Sequence, residues 1–438
     1  MNGNFKSITI FGSTGDLSCK KLFPSLYQLF KKREIVGLKI VAIGRKSLDN
    51  DSFRELVQPW IIEKSRFETS EEDLDAFFKQ VLYFKMDIME LKEYQQLKAF
   101  YQNHQLNLHL FCYATAPSLF EIITDGIDAM NLSQEMQVMI EKPFGSNLQH
   151  ANYLNEKLIE VFHSHNVYRI DHYLGKEMIQ NILTLRFDNE IFRRCWDKVS
   201  IDYIHIQAFE EMGILQRGEY YDQSGALMDM VQNHLMQVLT LVLMDKPKNL
   251  SDVKEKQIEI LKSLQPIKDV DIMKQVSLKQ YEGYRKEAHV DPNSTVETYA
   301  RLILYVEHPS YNNVPMIIET GKKMECNQFK VEVHFKKHEE AANVLIMDIQ
   351  PEEGIHFKFN VKRPGLGQGR EQVSMNYCQS CQDHFRINTP DAYERLIEAC
   401  LNHDDAWFSS WQQIALSWEY IDALKQKFLK VSNVEIGG

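Results

Sequence analysis

The sequence has no apolar run approaching the roughly 20 residues that a membrane-spanning helix requires. Its first residues, MNGNFKSITIFG, lack the charged stretch followed by an apolar core that is typical of a secretory signal. The chain also has no internal repeat and no low-complexity linker. We therefore expect a folded protein of the cytoplasm.

Acidic residues outnumber basic residues in this chain. The 438 residues include 50 Lys and Arg against 61 Asp and Glu, which gives a formal net charge of −11. Nucleic acids and anionic membranes bind basic surfaces, because their phosphates must be neutralised. Neither is expected as a partner, and any anionic ligand must meet locally placed Lys, Arg or His.

Cysteine is scarce as well. The chain has 7 cysteines, an odd number that is more typical of a reducing compartment than of a disulfide framework. Cys378 and Cys381 form a C-x-x-C motif near His384, but no second Cys or His pair follows at the spacing of a zinc site. Free thiols are therefore favoured over a structural metal, and no metal site is predicted.

Short apolar strands alternate with helix-length segments in the first part of the chain. The predicted strands cover residues 6–12, 38–44, 81–87, 108–114 and 137–143. Strands separated by helices favour a parallel sheet with right-handed crossovers. Residues 1–173 are therefore predicted to form a Rossmann-like, doubly wound α/β domain.

The second part of the chain has a different pattern. Its predicted strands follow one another closely at residues 199–209, 300–306, 314–321, 329–335, 343–351 and 355–364. Strands joined by short turns favour a mainly antiparallel sheet. Residues 174–438 are predicted to form an α+β domain, in which helices cover one face of a large sheet; two domains also suit the chain length.

A glycine turn follows the first strand. The segment FGSTGDL places Gly12 and Gly15 before the first helix, where backbone N–H groups can face a pyrophosphate. The next strand ends in Gly44-Arg45-Lys46, where an NAD-binding sheet usually has Asp or Glu for the ribose. Two cations suit a 2′-phosphate, so NADP is favoured over NAD. An ordinary tight turn and a solvated basic turn are the alternatives.

A stripe of polar residues marks the apolar segment 227–244. Asp229, Gln232, Asn233, Gln237 and Thr240 fall on one line at helical spacing, and His234 borders this line. The stripe contains no Lys, Arg or Glu, which predicts a buried helix whose polar edge lines a cleft. His234 is then either a satisfied core histidine or a catalytic one.

Taken together, these segments resemble the glucose-6-phosphate dehydrogenase family over most of the chain. The matching segments, in the order of the family, are FGSTGDLSCKKLFPSLY, VAIGRKS, EKPFG, VYRIDHYLGKE, GEYYDQSGALMDMVQNHL, VPMIIETGKKM and DAYERLIEAC. RIDHYLGKE and DMVQNHL are highly specific, whereas EKP is shared with the wider glucose-fructose oxidoreductase group. Without the resemblance, RIDHYLGKE would be interpreted as a salt-bridged surface loop.

The resemblance implies oxidation of β-D-glucose 6-phosphate by NADP to the phosphogluconolactone, the first oxidative step of the pentose phosphate pathway. It implies that His234 removes the proton of the anomeric hydroxyl, a task that suits an imidazole. Asp171 corresponds to the acid that orients this histidine. Lys142 corresponds to a cation near substrate and coenzyme.

The resemblance also implies the binding residues. His172, Tyr173 and Lys176 correspond to the 6-phosphate site, with Gly175 permitting the backbone to turn between them. Further sugar or phosphate contacts are implied for Lys21, Glu210, Asp229 and Lys322. Coenzyme contacts are implied for Gly12, Ser13, Thr14, Gly15, Asp16, Leu17, Arg45 and Lys142.

Some positions depart from the family. Asn327 stands where a second phosphate-binding cation is expected after Lys322, and Glu219 adds a charge to the segment QRGEYYD. These departures leave open a dehydrogenase of another hexose 6-phosphate. A silent homologue that only binds nucleotide is a separate alternative, against which His234 and Asp171 argue. The C-terminal positions for a second, structural NADP are not recognisable, so none is predicted. By analogy with relatives, the antiparallel sheet is expected to mediate a homodimer or tetramer.

Overall fold

The computed structural model describes residues 7–35, 37–106, 109–133, 135–337, 341–379, 381 and 389–432. The chain forms two compact units. The first contains residues 1–145, 149–175 and 390–411, and the second contains residues 146–148, 176–389 and 412–438. Residues 390–411 thus pack in the first unit, whereas the predicted division at residue 173 counts them in the second domain. His384 lies outside the described residues.

The described α-helices are numbered in chain order. They are α1 (Phe23–Lys31), α2 (Asn50–Lys64), α3 (Glu71–Phe78), α4 (Leu91–Asn103), α5 (Phe120–Ala129), α6 (Leu148–Phe162), α7 (Glu177–Asp188), α8 (Glu190–Arg194), α9 (Gly218–Ala226), α10 (Met236–Leu243), α11 (Val253–Lys262), α12 (Ile272–Gln275), α13 (Ala392–Leu401) and α14 (Trp411–Ser432). Two further segments, Ser18–Leu22 and Leu227–Leu235, are π-helical. None of the helices in the described ranges combines the length and apolar character needed to span a membrane.

The first unit contains a six-stranded parallel sheet. Its strands are β1 (Ser7–Phe11), β2 (Lys39–Gly44), β3 (Val81–Lys85), β4 (His109–Tyr113), β5 (Met136–Ile140) and β6 (Val167–Arg169). They lie in the order β3-β2-β1-β4-β5-β6, and every adjacent pair is parallel. This is the Rossmann order, in which ligands bind at the carboxyl ends of the strands where the order reverses beside β1. The predicted doubly wound sheet is confirmed.

Helix α13 explains why residues 390–411 belong to the first unit. It packs on α1, and its apolar side chains Leu396 and Ile397 are fully buried in the core of this unit. The buried Glu394 of the same helix forms ion pairs with Lys32, at 2.7 Å, and with Arg66. Residues 390–411 therefore complete the hydrophobic core of the first unit, which the residues before 176 do not complete alone.

The second unit contains an eight-stranded sheet. Its strands are β7 (Ile201–Glu210), β8 (Val276–Lys279), β9 (Tyr299–Leu304), β10 (Met316–Lys322), β11 (Gln328–Phe335), β12 (Val344–Gln350), β13 (Gly354–Lys362) and β14 (Arg370–Cys378). They lie in the order β14-β13-β12-β11-β7-β10-β9-β8. All adjacent pairs are antiparallel except β7 and β10. The mainly antiparallel sheet is confirmed, although β8 and β14 were not predicted.

Helices cover one face of this sheet. Alternate residues of the central strands are buried, as in β11, where Phe329, Val331 and Val333 are almost completely inaccessible. Helix α7 packs against β12, and the π-helical segment Leu227–Leu235 packs against β10. Every second residue of these strands is buried because the sheet has one apolar face and one polar face.

Candidate active site

The glycine turn lies at the carboxyl end of β1. Gly12 has φ +84°, and a Cβ atom there would collide with the carbonyl oxygen of Ala114, so only glycine fits. The turn is closed by backbone hydrogen bonds from Gly15 to Gly12, at 3.0 Å, and from Ser13 to Ile43, at 2.9 Å. The same turn carries the remaining predicted coenzyme positions, Thr14, Asp16 and Leu17. The absence of a side chain at position 12 therefore allows a pyrophosphate to approach the backbone of the turn closely.

The turn after β2 presents the predicted ribose-phosphate cations. Arg45 and Lys46 are exposed, and the phenol of Tyr83 fixes the turn by donating to the carbonyl oxygen of Lys46 at 2.7 Å. Asp49 caps α2, with its carboxylate accepting from the backbone N–H of Ser52 at 2.8 Å. Asp49 therefore has a structural task, and the Arg45 turn remains cationic.

Lys21 is held beside the start of α13. Its ammonium group forms a 2.9 Å ion pair with Asp391, and both side chains are partly exposed. Asp391 also caps α13, because its carboxylate accepts from the backbone N–H of Tyr393 at 3.0 Å. Asp391 was not predicted as a site residue, because nothing in the sequence distinguishes a capping aspartate from one that also pairs with Lys21.

The segment RIDHYLGKE begins with a structural arginine. Arg169 is buried and donates to the side chain of Asn155 at 2.5 Å, and burial lowers its pKa to about 10. Asp171 is only 2% exposed. Its carboxylate accepts from the backbone N–H of Tyr173 at 3.0 Å, and its carbonyl oxygen accepts from Leu174 at 3.0 Å. The aspartate is thereby fixed at the carboxyl end of the parallel sheet.

Gly175 lies in the predicted backbone turn, but glycine is required there by close packing and not by a positive φ. Its φ is not positive, but a Cβ atom there would lie 2.8 Å from the carbonyl oxygen of Ala392. The neighbouring α13 also supplies Tyr393, whose ring stacks on His172 with 6.1 Å between centroids. His172 additionally contacts the ring of Tyr173. Two aromatic rings thus orient the predicted phosphate-binding histidine.

A buried glutamate precedes Lys142. Glu141 follows β5 and is 9% exposed. Burial raises its pKa to about 7, the nearby Asp171 acts in the same direction, and a hydrogen bond from Tyr393 and the charge of Lys142 oppose the shift. Glu141 and Tyr393 were not predicted as site residues, although Glu141 is part of the motif EKPFG. They link α13, Lys142 and Asp171 within the first unit.

We expect the stability of the Glu141→Gln variant, relative to the unchanged protein, to increase as pH rises from roughly 5 to 8. The folded-state pKa of Glu141, about 7, lies above its ordinary value of 4.5. Its contribution to folding stability is therefore complete below the ordinary value and is lost as pH rises through about 7. Glutamine does not titrate, so the variant should not lose this stability as pH rises. Thermal midpoints measured across this range provide the test.

Glu160→Gln is the matched control, because Glu160 is exposed on α6 of the same unit. Its thermal midpoint should follow that of the unchanged protein at every pH. A pH-independent difference between Glu141→Gln and the unchanged protein would contradict the buried, shifted carboxyl group.

In the second unit, the structure brings three predicted substrate residues together. Glu210 ends β7 and Lys322 ends β10, and parallel pairing places them opposite each other. The Lys322 ammonium group forms an ion pair with Glu210 and lies 3.9 Å from a carboxylate oxygen of Asp229. Lys322 is 4% exposed. Its charge is therefore compensated by two carboxylates, which also offer hydrogen-bond acceptors for sugar hydroxyl groups.

The predicted base lies on the same segment as Asp229. His234 is 1% exposed and lies in the π-helical segment Leu227–Leu235. A π-helix bonds residues i and i+5, so Asp229 and His234 lie near one another on its surface. The segment begins where Glu297 accepts a hydrogen bond from the backbone N–H of Leu227 at 2.9 Å. The prediction from the sequence assumed the α-helical period of 3.6 residues, which places His234 only at the border of the polar stripe.

The second half of the polar stripe has a structural role. Gln237 and Thr240 hydrogen-bond to Gln257, at 3.5 and 2.9 Å, and Gln413 donates to Gln237 at 3.2 Å. These side chains are all buried. The prediction of a buried helix is correct, but the expectation that its whole polar edge lines a cleft is wrong for this half, because buried amides satisfy one another.

The C-x-x-C motif differs from its prediction. Cys378 and Cys381 are joined in a disulfide, whereas free thiols were expected. The other five cysteines, Cys19, Cys112, Cys195, Cys326 and Cys400, are free. Within the described ranges, no group of three or more His, Cys, Asp or Glu residues is arranged to hold a metal ion.

The first unit has the fold and glycine turn of a Rossmann-type dehydrogenase, and the second carries a buried histidine with a carboxylate and lysine cluster. The chain matches the family models for the NAD-binding domain of glucose-6-phosphate dehydrogenase at residues 9–181 and for its C-terminal domain at residues 183–436. It therefore belongs to the glucose-6-phosphate dehydrogenase family.

Similar proteins extend over almost the whole chain. Glucose-6-phosphate 1-dehydrogenase of Chlamydia muridarum is 34% identical, over 97% of this chain and 90% of the relative. The enzyme of the same name from Bacillus subtilis is 33% identical, over 96% of this chain and 91% of the relative. A solved structure of glucose-6-phosphate dehydrogenase in complex with its substrate glucose-6-phosphate is 30% identical, with a TM-score of 0.86, over 97% of this chain and 91% of that one.

Proposed function

We propose that the protein oxidises β-D-glucose 6-phosphate at C1 and transfers the hydride to NADP, which yields the phosphogluconolactone and begins the pentose phosphate pathway. The observation that carries this proposal is near-full-length similarity to proteins of that name, including one solved with glucose 6-phosphate. The described ranges contain no membrane-spanning helix, which agrees with the cytoplasmic location that we infer.

The reaction breaks the O–H and C–H bonds at C1 and forms a carbonyl group. His234 accepts the hydroxyl proton, and Asp171 stabilises the resulting imidazolium. Lys142 favours the negative charge that develops on the sugar oxygen. NADP, when bound, supplies the acceptor for the hydride. The burial of His234 and Asp171 supports these roles, because a buried imidazole and a buried carboxylate are protected from competing water.

The residues of the glycine turn fit a dinucleotide phosphate. A Cβ atom at Gly12 would collide with the backbone, so the turn gives close access to N–H groups. Arg45 on the exposed turn after β2 is proposed to bind the 2′-phosphate of NADP through a bidentate contact. Gly12 to Leu17 and Lys142 complete the proposed coenzyme site.

The residues proposed to bind the sugar phosphate are those that the family resemblance implies. His172, Tyr173 and Lys176 bind the 6-phosphate, and Lys21 lies on the substrate side of the glycine turn. Glu210, Asp229 and Lys322 bind sugar hydroxyl or phosphate oxygens. The Lys322 cluster supports the contacts with hydroxyl groups, because its two carboxylates outnumber its one ammonium group and the cluster therefore has no net positive charge.

The departures from the family do not favour another sugar. The side chain of Asn327 is engaged with Glu211, donating to its carboxylate at 2.8 Å and accepting from its backbone N–H at 2.9 Å. Glu219 is exposed in the first turn of α9. Asn327 thus has a local structural partner, and glucose 6-phosphate remains the proposed substrate.

Steady-state assays test the proposal directly. Initial rates should be measured with glucose, glucose 6-phosphate and glucosamine 6-phosphate, each with NADP and with NAD. The highest kcat/KM is expected for glucose 6-phosphate with NADP. A higher value with another hexose 6-phosphate would replace the proposed substrate, and no turnover with any pair would favour a silent nucleotide-binding homologue. Sedimentation of the full chain tests the proposed homodimer or tetramer.

Lys176→Ala is expected to raise KM for glucose 6-phosphate by roughly 10- to 100-fold and to leave kcat within about twofold. The substitution removes a charge-assisted contact with the phosphate, which is made equally in the ground state and the transition state. Lys279→Ala is the control, because Lys279 is an exposed lysine at the end of β8. An unchanged KM would leave Lys176 without its proposed role.

A further inference from the structure

A break in the helical winding precedes the π-helical segment that carries Asp229 and His234. Gly225, the second-last residue of α9, has φ +67° and ψ 178°, which is not a helical conformation. Helical winding begins again at Ala226, and the π-helical segment follows at Leu227–Leu235. The first N–H groups of a helix have no carbonyl partners within the helix, so they must be satisfied by groups from outside it.

Glu297, which lies just before β9, satisfies the first two of these N–H groups. Its backbone carbonyl oxygen accepts from the N–H of Ala226 at 2.9 Å. Its carboxylate oxygen Oε1 accepts from the N–H of Leu227 at 2.9 Å. A Cβ atom at Gly225 would lie 2.5 Å from this Oε1, so the glycine leaves the space that the carboxylate occupies. A residue 70 positions further along the chain than Leu227 therefore caps the helix that carries His234.

The carboxyl group of Glu297 is completely buried. The residue is 0% exposed, and its second oxygen, Oε2, has no hydrogen-bond partner among the described residues. Burial raises the pKa of this group, whereas the positive charge of Lys425 and the N–H of Leu227 oppose the shift. An apolar side chain would avoid this cost of burial, so stability alone does not account for a glutamate at this position.

The residue after Glu297 holds the backbone of Lys322. The carbonyl oxygen of Thr298 accepts from the N–H of Lys322 at 3.0 Å, and the hydroxyl of Thr298 accepts from the N–H of Tyr281 at 2.8 Å. Thr298 is fully buried. Two neighbouring residues therefore fix the start of the π-helical segment and the end of β10. The ammonium group of Lys322 lies 3.9 Å from the carboxylate of Asp229 between these two anchored points.

We propose that Glu297 is a positioning residue for the oxidation of the sugar phosphate, because it fixes where the π-helical segment begins and thereby where His234 lies. This inference rests on the proposed function, since it takes His234 as the base. An α-helix turns by about 100° per residue, so Asp229 and His234 would lie about 140° apart around an α-helical segment. The π-helical winding brings them closer together. Without its cap the segment relaxes towards the α-helical winding, which turns His234 away from Asp229.

Steady-state kinetics on variants of Glu297 test the positioning role. Glu297→Ala is expected to lower kcat with glucose 6-phosphate and NADP by roughly 10- to 100-fold, because a displaced base is a poor catalyst even when it is chemically intact. KM for NADP should stay within about twofold, since all the proposed coenzyme residues lie in the first unit. Rates are expressed per folded molecule, with the folded fraction taken from circular dichroism.

Two conservative variants separate the hydrogen bond from the charge. Glu297→Gln keeps an acceptor oxygen within reach of the N–H of Leu227, so its kcat should stay within about threefold of the unchanged protein. Glu297→Asp keeps the charge but is one methylene shorter, so it should be about as slow as Glu297→Ala. Equal kcat in Glu297→Ala and the unchanged protein would overturn the proposal. A Glu297→Gln variant as slow as Glu297→Ala would do the same.

Glu255→Ala is the matched control. Glu255 is an exposed glutamate in the first turn of α11, in the same unit, and it lies outside the proposed site. Its kcat and its KM for both substrates should equal those of the unchanged protein.

Hydrogen exchange followed by mass spectrometry tests the cap of the full-length protein without any assay of activity. Peptides that cover residues 226–235 should exchange roughly tenfold faster in Glu297→Ala and Glu297→Asp, and at the unchanged rate in Glu297→Gln and Glu255→Ala. Unchanged protection in Glu297→Ala would overturn the positioning role. Faster exchange in Glu297→Ala, together with no turnover in the unchanged protein, would count against the proposed function and not against the cap.

Discussion

The variant His234→Asn is expected to lower kcat with glucose 6-phosphate and NADP by roughly 10²- to 10⁴-fold. His234 is almost fully buried on the π-helical segment Leu227–Leu235, and asparagine keeps a polar side chain of smaller size there. The proposed base is removed while the segment is retained, so KM for the sugar phosphate should change little. Steady-state rates at saturating coenzyme provide the measurement.

His289→Asn is the matched control for this variant. His289 is exposed and has φ +63°, a conformation that asparagine tolerates well, so its turnover should equal that of the unchanged protein. The double variant His234→Asn/Asp171→Asn should be about as slow as His234→Asn, because residues that act as a unit are not additive. Full turnover in His234→Asn would remove the assignment of the base.

The parallel sheet was predictable because its signals are local. Strands buried on both faces are short apolar runs, and the glycines after β1 are required by a backbone that approaches Ala114 closely. β6 has only three residues, Val167–Arg169, and β8 has only four, Val276–Lys279, so neither carries enough periodicity to be detected. The return of residues 390–411 to the first unit depends on long-range packing, which a local pattern does not encode.

The geometry of the candidate site was less predictable than its residues. The neighbourhood of Asp229 and His234 depends on a π-helical segment, whereas sequence patterns are interpreted with the α-helical period. Glu141 has its raised pKa because α13 and β5 bury it, and Tyr393 reaches it from more than two hundred residues further along the chain. Gly175 illustrates the same point, because its constraint is the backbone of Ala392 and not its own conformation.

The variant Lys322→Met is expected to lower the free energy of unfolding by about 3 to 5 kcal/mol. The side chain of Lys322 is 3% exposed and that of Asp229 is 5% exposed, whereas that of Glu210 is 34% exposed. Methionine fills a similar volume but leaves the Asp229 carboxylate buried without its nearby cation. The hydroxyl of Tyr220 still donates to this carboxylate at 3.2 Å, so the cost is mainly that of the lost cation, and urea unfolding of the unchanged protein and the variant measures it.

Two further variants separate charge from packing. In Lys322→Met/Asp229→Asn the buried carboxylate is replaced by a neutral amide, so most of the lost stability should return even though the proposed substrate site is more heavily altered. Lys330→Met removes a more exposed ion pair with Glu332 and should cost less than about 1 kcal/mol. Two results would contradict a stabilising role of the Lys322 ammonium group for the buried Asp229. One is a loss of unfolding free energy in Lys322→Met no larger than that in Lys330→Met. The other is a failure of Asp229→Asn to restore the stability of Lys322→Met. The expected rescue instead means that Lys322 stabilises the buried carboxyl group of Asp229 in the π-helical segment.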